Sequence, residues 1–432
     1  MIDTPETDAA EMPIDRVDTI ASSPKRIEGD GGVPHTPRQR SGCSPTNPMP
    51  MKPAAPSSGK DATRAPSIPV SPAARMGDRL RRSRLMAGLS LRDLSDALGG
   101  EPSHTQIAKF EAGEVCPDSK QLARFSQVLH VRPDYFFKKD GLKLETVEYR
   151  SQTKLGSKGR KRLEEQAYEF FERYLEIERI LGIATEPFEC ADLSDKTVEE
   201  LPAAIEDAAK NLREAWKLGM NPIPNVHVML ETRGVKVKTL AHEDGFDGFS
   251  AFATDGDMSV PVIALSKRLL DEPDKDLPRF RFTAIHELAH LYLKFPESLS
   301  HKEKENWCHW FAGAFLIPRE PFEERFGVNR VKIALSELIA IKREWGMSVA
   351  AIMNRACNLK LVTPGRYKTY CIVANKQGWS TKEPGTWIGD EKSSRFEPLV
   401  LRALAQELIT PSKAAGLLGI SLPELGARYT PL

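Results

Sequence analysis

No run in the 432 residues approaches the roughly 18 consecutive apolar residues of a membrane span, so none reads as membrane-crossing. Charge of one sign is missing too: 61 basic against 60 acidic side chains leave a formal net charge of +1. The chain as a whole therefore has no general attraction for nucleic acid or anionic lipid, and any such binding must be local. The six cysteines (Cys43, Cys116, Cys190, Cys308, Cys357 and Cys371) are scattered without a CxxC pair, which argues against a disulfide framework and a cysteine zinc knuckle. The opening "MIDTPETDAAEMPID" is acidic where a secretory signal is basic and then apolar. The expectation is a soluble, unexported protein of the cytoplasm, with no membrane partner. Residues 1–75 hold no Phe, Trp or Tyr, lack the apolar surface that offsets the entropy of ordering, and read as a disordered Pro/Ser-rich tail. Met49, Met51 and Met76 stand as alternative translation starts.

What is present divides the rest. Residues 76–140 carry leucines at three- and four-residue spacing (Leu80, Leu91, Leu94, Leu98, Leu122, Leu129) and read as one small all-helical domain. Residues 141–222 read as a connector, with a basic linker "SQTKLGSKGRKR" at 151–162 followed by the amphipathic helix "LEEQAYEFFERYLEIERILG". Over 223–365 a helix "PNVHVMLETRG" precedes three strand-like runs, "VKVKTLA", "GFSAFAT" and "VPVIALS", and helices near 278–295 and 303–316. Residues 366–432 form a C-terminal helical segment in which Thr410, Pro411 and Gly419 bound one short helix and Ser421 starts another turn. That segment is poor in basic residues and reads as a packing or dimerisation element, which leaves a homodimer open, rather than as a second DNA reader. The fold class expected is mainly α with an α+β part.

In "GLSLRDLSDALGGEPSHTQIAKFEAGEV", Ser90 and Ser103 are N-caps and Gly99–Gly100 separate two short helices. Ile107 and Phe110 take the inward face of the second. His104, Thr105, Gln106 and Lys109 are left outward near its start, as base-contacting residues of a recognition helix require. Arg79, Arg81, Arg82 and Arg84 give the preceding helix a basic side suited to phosphates or simply to solvent. The full pattern, through "LARFSQVLHVRPDYFF", resembles the XRE-type, phage-repressor-like helix-turn-helix family over some 60 residues. By that resemblance Gln106 and its neighbours lie in the recognition helix, Glu111 and Gly113 are framework, and the partner is operator DNA. The turn "GGEPSH" is slightly longer than the family's.

The stretch "RFTAIHELAH" places His286 and His290 four apart, about 40° in helical projection, so two imidazoles can reach one tetrahedral ion while Glu287 reaches the water beside it. A random chain of this length shows HExxH roughly one time in a hundred, so a third ligand is the needed corroboration. Glu305 on the next helix is that ligand, with Glu303 its rival. His309, one turn beyond Glu305, reads as a partner that orients a ligand or stabilises an oxyanion, a role for which Tyr292 also stands, or as an ordinary surface histidine. His301 reads as a loop residue. Zn2+ is the cofactor expected and Glu287 the general base.

"FTAIHELAHLYL" followed by "EKENWCHWFAGAFLIP", with "GFDGFSAFA" and "VPVIALS" upstream, resembles the ImmA/IrrE family of zinc metallopeptidases. Joined to the helix-turn-helix, the order of parts resembles bacterial regulators that fuse the two domains. The resemblance implies an XRE-type repressor as substrate, cut to relieve repression in a stress, mobile-element or toxin-antitoxin response. An extended substrate would add as a strand to the sheet edge formed by "GFSAFAT" or "VPVIALS". The alternative is a repressor or antitoxin whose peptidase-like domain senses a ligand or partner and cuts nothing.

Overall fold

The computed structural model describes residues 71–138, 142–149, 155–241, 243–256, 258–271, 276–328, 330–393 and 395–429, so the tail expected over 1–75 lies outside the described residues as far as residue 70. Ser71 accepts from Ala74 N (3.1 Å) and Pro72 takes the first turn, so α1 (Pro72–Met86) begins before Met76. The Ser90–Asp93 capping box opens α2 (Leu91–Ala97), Ser103 caps α3 (His104–Glu111), and the Asp118–Gln121 box opens α4 (Ser119–Leu129). Leu80, Leu94, Ile107, Phe110 and Phe125 close one core among these four helices.

The connector departs from its sequence reading. Lys143–Tyr149 forms a strand, β1, and α5 (Ser157–Ile180) starts inside the basic stretch read as linker. Leu155 and Leu163 are buried there, and burial of a few apolar residues overrides a polar surrounding text. After β2 (Ala191–Asp192) come α6 (Leu201–Ala215) and α7 (Val226–Thr232), capped by Asn225, then β3 (Lys236–Leu240), β4 (Gly248–Asp255) and β5 (Met258–Ser266). Next are α8 (Leu277–Tyr292), β6 (Leu293–Lys294), α9 (His301–Leu316) and α10 (Arg319–Phe326). Then follow α11 (Leu335–Trp345), α12 (Val349–Asn358), α13 (Pro364–Lys376), α14 (Phe396–Ala405), α15 (Pro411–Leu418) and α16 (Leu422–Arg428). The result is mainly helical with a small mixed sheet. No helix among the described residues is long and apolar enough to cross a membrane.

The main sheet has the order β1-β4-β5-β3, with β3 parallel to β5 and the other pairs antiparallel. Alternation along β5 divides the molecule: Val262 and Ala264 join a core with α5, α14 and α15, whereas Ile263 and Leu265 join the larger core with α6, α8, α9 and α12. Both strands proposed as a docking edge are internal. β4 is hydrogen-bonded to β1 and β5, and β5 to β4 and β3, so the free edges of this sheet are on β1 and β3. Thr410 and Gly419 bound α15 and Ser421 caps α16 as the sequence suggests; α15 rests on α5, where Arg173 Nη1 donates to Leu417 O at 2.9 Å.

The arginines of α1 mostly face inward. Arg79 is fully buried and meets both carboxylate oxygens of Glu172 on α5 (2.9 and 2.5 Å). Arg82 pairs with Asp78 at 2.6 Å and lies 4.0 Å over the Tyr168 ring, and Arg84 pairs with Glu111 (2.6 and 2.8 Å). Of the four, only Arg81 is exposed. Carboxylates of α5 (Glu165, Glu172), α3 (Glu111) and α1 itself (Asp78) take the place a phosphate would otherwise fill.

A second buried ion pair ties the C-terminal segment beneath α8. Arg281 bonds Glu391 and donates to Ile223 O at 2.8 Å, while Glu391 accepts from Val226 N (2.8 Å) and His227 N (3.1 Å). Burial lowers the Arg281 pKa and raises that of Glu391, and the attraction between the two groups opposes both shifts. Arg281→Met leaves that carboxylate buried without its counter-ion and is expected to cost about 3–5 kcal/mol of stability. Thermal and urea unfolding measure it, and a loss below about 1 kcal/mol, the worth of an exposed ion pair, contradicts the assignment.

Candidate metal centre and recognition helix

α8 lies between the sheet and α9, and its spacing of four turns His286 and His290 toward α9 on the same side. Their Nε2 atoms are 3.1 Å apart; Glu305 places Oε2 3.2 Å from that of His286 and Oε1 3.1 Å from that of His290. The three donors lie within 4.8 Å of one another. Ligands about 2.1 Å from a tetrahedral ion stand about 3.4 Å apart, so the arrangement fits a zinc-sized cation with little movement. Two imidazole nitrogens and one carboxylate oxygen are also a donor set that zinc accepts.

The local field favours positive charge. Burial opposes a charged His290, yet Cys308, Glu305 and Glu287 outweigh it and push the pKa well above the ordinary value. Burial likewise pushes the Glu305 carboxyl up, but the two imidazoles hold it far below the usual range.

Glu287 is fully buried, and Ser250 Oγ on β4 donates to its Oε2 at 2.9 Å. Cys308, also fully buried, sets Sγ 3.6 Å from His290 Nδ1, so the far side of that imidazole is held while Nε2 faces the cluster. Neither partner was singled out from the sequence. Ser250 carried a signal, a hydroxyl within the inward-facing run "GFSAFA". Cys308 carried another, lying one turn from Glu305 on α9.

His309 comes beside the cluster, its ring centroid 4.4 Å from that of His286 and stacked on Phe282 at 5.9 Å. Tyr292 does not come to the same place: its hydroxyl donates to Ala208 O at 3.5 Å and its ring packs on Phe311, because it points toward α6. Glu303 is engaged as the capping carboxylate of α9, accepting from Ser300 N (2.9 Å) and Ser300 Oγ (2.6 Å), so it takes no part in the cluster. His301 is the first residue of α9 rather than a loop residue, half exposed, with Nδ1 3.8 Å from Glu305 Oε1.

The second candidate surface is α3. His104, Thr105, Gln106 and Lys109 are all exposed on it, while Ile107 and Phe110 are buried beneath. Four polar side chains at the start of a short helix that follows a glycine turn can present hydrogen-bonding groups to a major groove.

Comparison with known proteins identifies two domains in this order along the chain. Residues 80–136 match the family model described as helix-turn-helix, and residues 233–356 match that described as the IrrE N-terminal-like domain, a peptidase family. The second match contains His286, Glu287, His290 and Glu305. No curated protein matches the chain, and no solved structure does.

If the thiol fixes His290, Cys308→Ala is expected to weaken zinc binding roughly tenfold or more, with Cys308→Ser closer to wild type because it keeps a polar partner. Competition with a chromogenic chelator reads this directly. Equal affinity in all three proteins removes Cys308 from the site.

Proposed function

From an XRE-type helix-turn-helix domain followed by an IrrE-like peptidase domain, we propose a DNA-binding transcriptional regulator that is also a zinc-dependent endopeptidase. His286, His290 and Glu305 hold the metal, and Glu287 is the general base. The convergence of three donor atoms from two helices, beside a carboxylate aimed by Ser250, carries this reading.

Zinc bound there lowers the pKa of its water toward 7 and polarises a carbonyl. The protein's own part is to hold and move protons. Ser250 fixes one oxygen of Glu287, so the carboxylate is already oriented when it takes a proton from the attacking water and passes it to the leaving amine. Burial of Glu287 strengthens that transfer by excluding competing solvent. His309, beside His286 and open to a cleft, is placed to donate a hydrogen bond to the developing oxyanion.

α3 brings the molecule to operator DNA through His104, Thr105, Gln106 and Lys109. The substrate is a repressor of the same helix-turn-helix type bound nearby, and its cleavage relieves repression in a stress, mobile-element or toxin-antitoxin response. The fusion of reader and cutter in one chain supports this, because it raises the local concentration of the peptidase at the operator. The competing view, a domain that binds zinc and senses without cutting, predicts the same metal content and differs in turnover.

Metal analysis across wild type, Glu287→Gln and Glu305→Ala separates the roles. Wild type and Glu287→Gln are expected to retain one equivalent of zinc and Glu305→Ala to lose most of it. Cleavage of the cognate repressor is expected to fall by at least a hundredfold in Glu287→Gln. Equal zinc in all three proteins rules out Glu305 as a ligand, and unchanged cleavage in Glu287→Gln rules out its role as base.

A further inference from the structure

Beside the metal cluster a cleft of about 780 Å³ runs along α9, with His309 and Phe282 at its inner end. α12 supplies Ala350, Ala351 and Asn354 to one side, and Tyr367 of α13 with Trp379, from the segment after it, forms the outer wall. That outer wall lies beyond residue 356, outside the stretch that matches the peptidase family. We propose that this cleft is the specificity pocket of the peptidase site, and that it takes a bulky uncharged side chain, aromatic or long aliphatic, next to the scissile bond of an extended polypeptide. The proposal rests on the peptidase reading above.

The argument is first one of charge. Of the five Asp, Glu and Arg side chains that line the cleft, three are ion-paired within the fold and two, Asp276 and Glu303, cap helices. Asp276 caps α8 by accepting from Arg279 N at 3.2 Å, and Arg279 is paired with Asp247 at 2.5 Å. Glu303 is held by Ser300. Glu383 takes Lys342 Nζ at 2.6 Å and Ala350 N at 3.0 Å, and Arg355 is paired with Glu206. The two arginines are therefore not free for an acidic guest nor Glu383 for a basic one, and a charged guest of either sign gives up water to enter, a cost a neutral side chain does not meet. Five aromatic side chains share the wall with small and neutral polar ones: Phe282, Trp307, Trp310, Tyr367 and Trp379. Trp310 is locked by its Nε1 bond to Glu206 at 2.8 Å and packs 5.6 Å from Trp307, so the surface is rigid before a guest arrives.

Two further observations select a peptide. The cleft reaches the cluster's neighbour: His309 lines it, and its ring centroid is 4.4 Å from that of His286, so a side chain seated here brings its backbone close to the reacting centre. Strand addition is closed at β4 and β5, which are both internal, so the proposed grip on the backbone comes from side chains of the cleft. Asn306, Asn354 and Asn358 line the cleft with amides that both donate and accept, as a peptide backbone requires. The volume lies within the about 300–1,000 Å³ of pockets that enclose ligands, so there is room for such a side chain and part of its chain.

The test uses the zinc-loaded full-length Glu287→Gln protein and three blocked amino acids, N-acetyl-phenylalaninamide, N-acetyl-lysinamide and N-acetyl-glutamic acid amide, with binding read by saturation-transfer NMR. The aromatic probe is expected to bind at least tenfold more tightly than either charged one. Ala351→Trp, which fills the cleft from α12, and Trp379→Ala, which removes an outer wall without adding bulk, are each expected to weaken it tenfold with zinc content unchanged. In parallel, wild-type cuts in oxidised insulin B chain, mapped by mass spectrometry, are expected beside bulky apolar residues. Equal binding of the three probes, or indifference to both substitutions, overturns the pocket. Cuts without side-chain preference also overturn it and leave the peptidase standing. Selective aromatic binding with no cut in the B chain or in the cognate repressor supports the pocket and withdraws the peptidase.

Discussion

Everything at the His286–His290–Glu305 cluster depends on how α8 is seated between the sheet and α9. Apart from the exposed Arg279 and the partly covered Phe282 and His290, this helix is buried, so its rotation is fixed by apolar packing on both sides. That rotation points His286 and His290 toward Glu305 and at the same time points Glu287 toward Ser250 on β4. A turn of the helix by one residue, about 100°, would swing the imidazoles away from Glu305 and Glu287 away from Ser250, breaking both relations at once. Apolar packing thus supplies the precision that the polar cluster needs.

Three polar devices hold the seat. Asp276 caps the start of α8, the buried Arg281–Glu391 pair anchors its first turns, and Cys308 holds the far nitrogen of His290. The Arg281–Glu391 pair has a consequence for organisation: the chain after α13 is fastened under the peptidase core as part of it. That fastening puts Trp379 and Glu383 at the mouth of the cleft. A segment that looked like a terminal appendage is therefore part of the wall of the candidate site.

A similar redistribution occurs at the other end. Arg79 and Arg82 join the helix-turn-helix to α5 through Glu172, Glu165 and the Tyr168 ring, so α1 connects the two parts of the molecule instead of facing phosphate. The surface proposed for DNA is then α3, where His104, Thr105, Gln106 and Lys109 are exposed. Between the two parts, β1 extends the peptidase sheet from the connecting segment, so the connector contributes to the fold on both sides of its length.

Spacing alone was enough for the local features. Ser90, Ser103 and Thr410 are caps because a short hydroxyl side chain satisfies a helix's first amides whatever surrounds it, and His286 and His290 share a face because four residues is nearly one turn. Glu305 was within reach of the same reasoning because α9 follows α8 directly and returns along it. Tyr292, the arginines of α1 and the supposed sheet edge were misplaced for a common reason: the partner that decides each lies far along the chain. Ala208 is 84 residues from Tyr292, Glu172 is 93 from Arg79, and β1 reaches β4 from a segment whose polar text reads as linker. Glu391 and Trp379 belong to the same class. Periodicity records which face of a helix is apolar, but the element that comes to cover it is chosen by the packing of the whole chain.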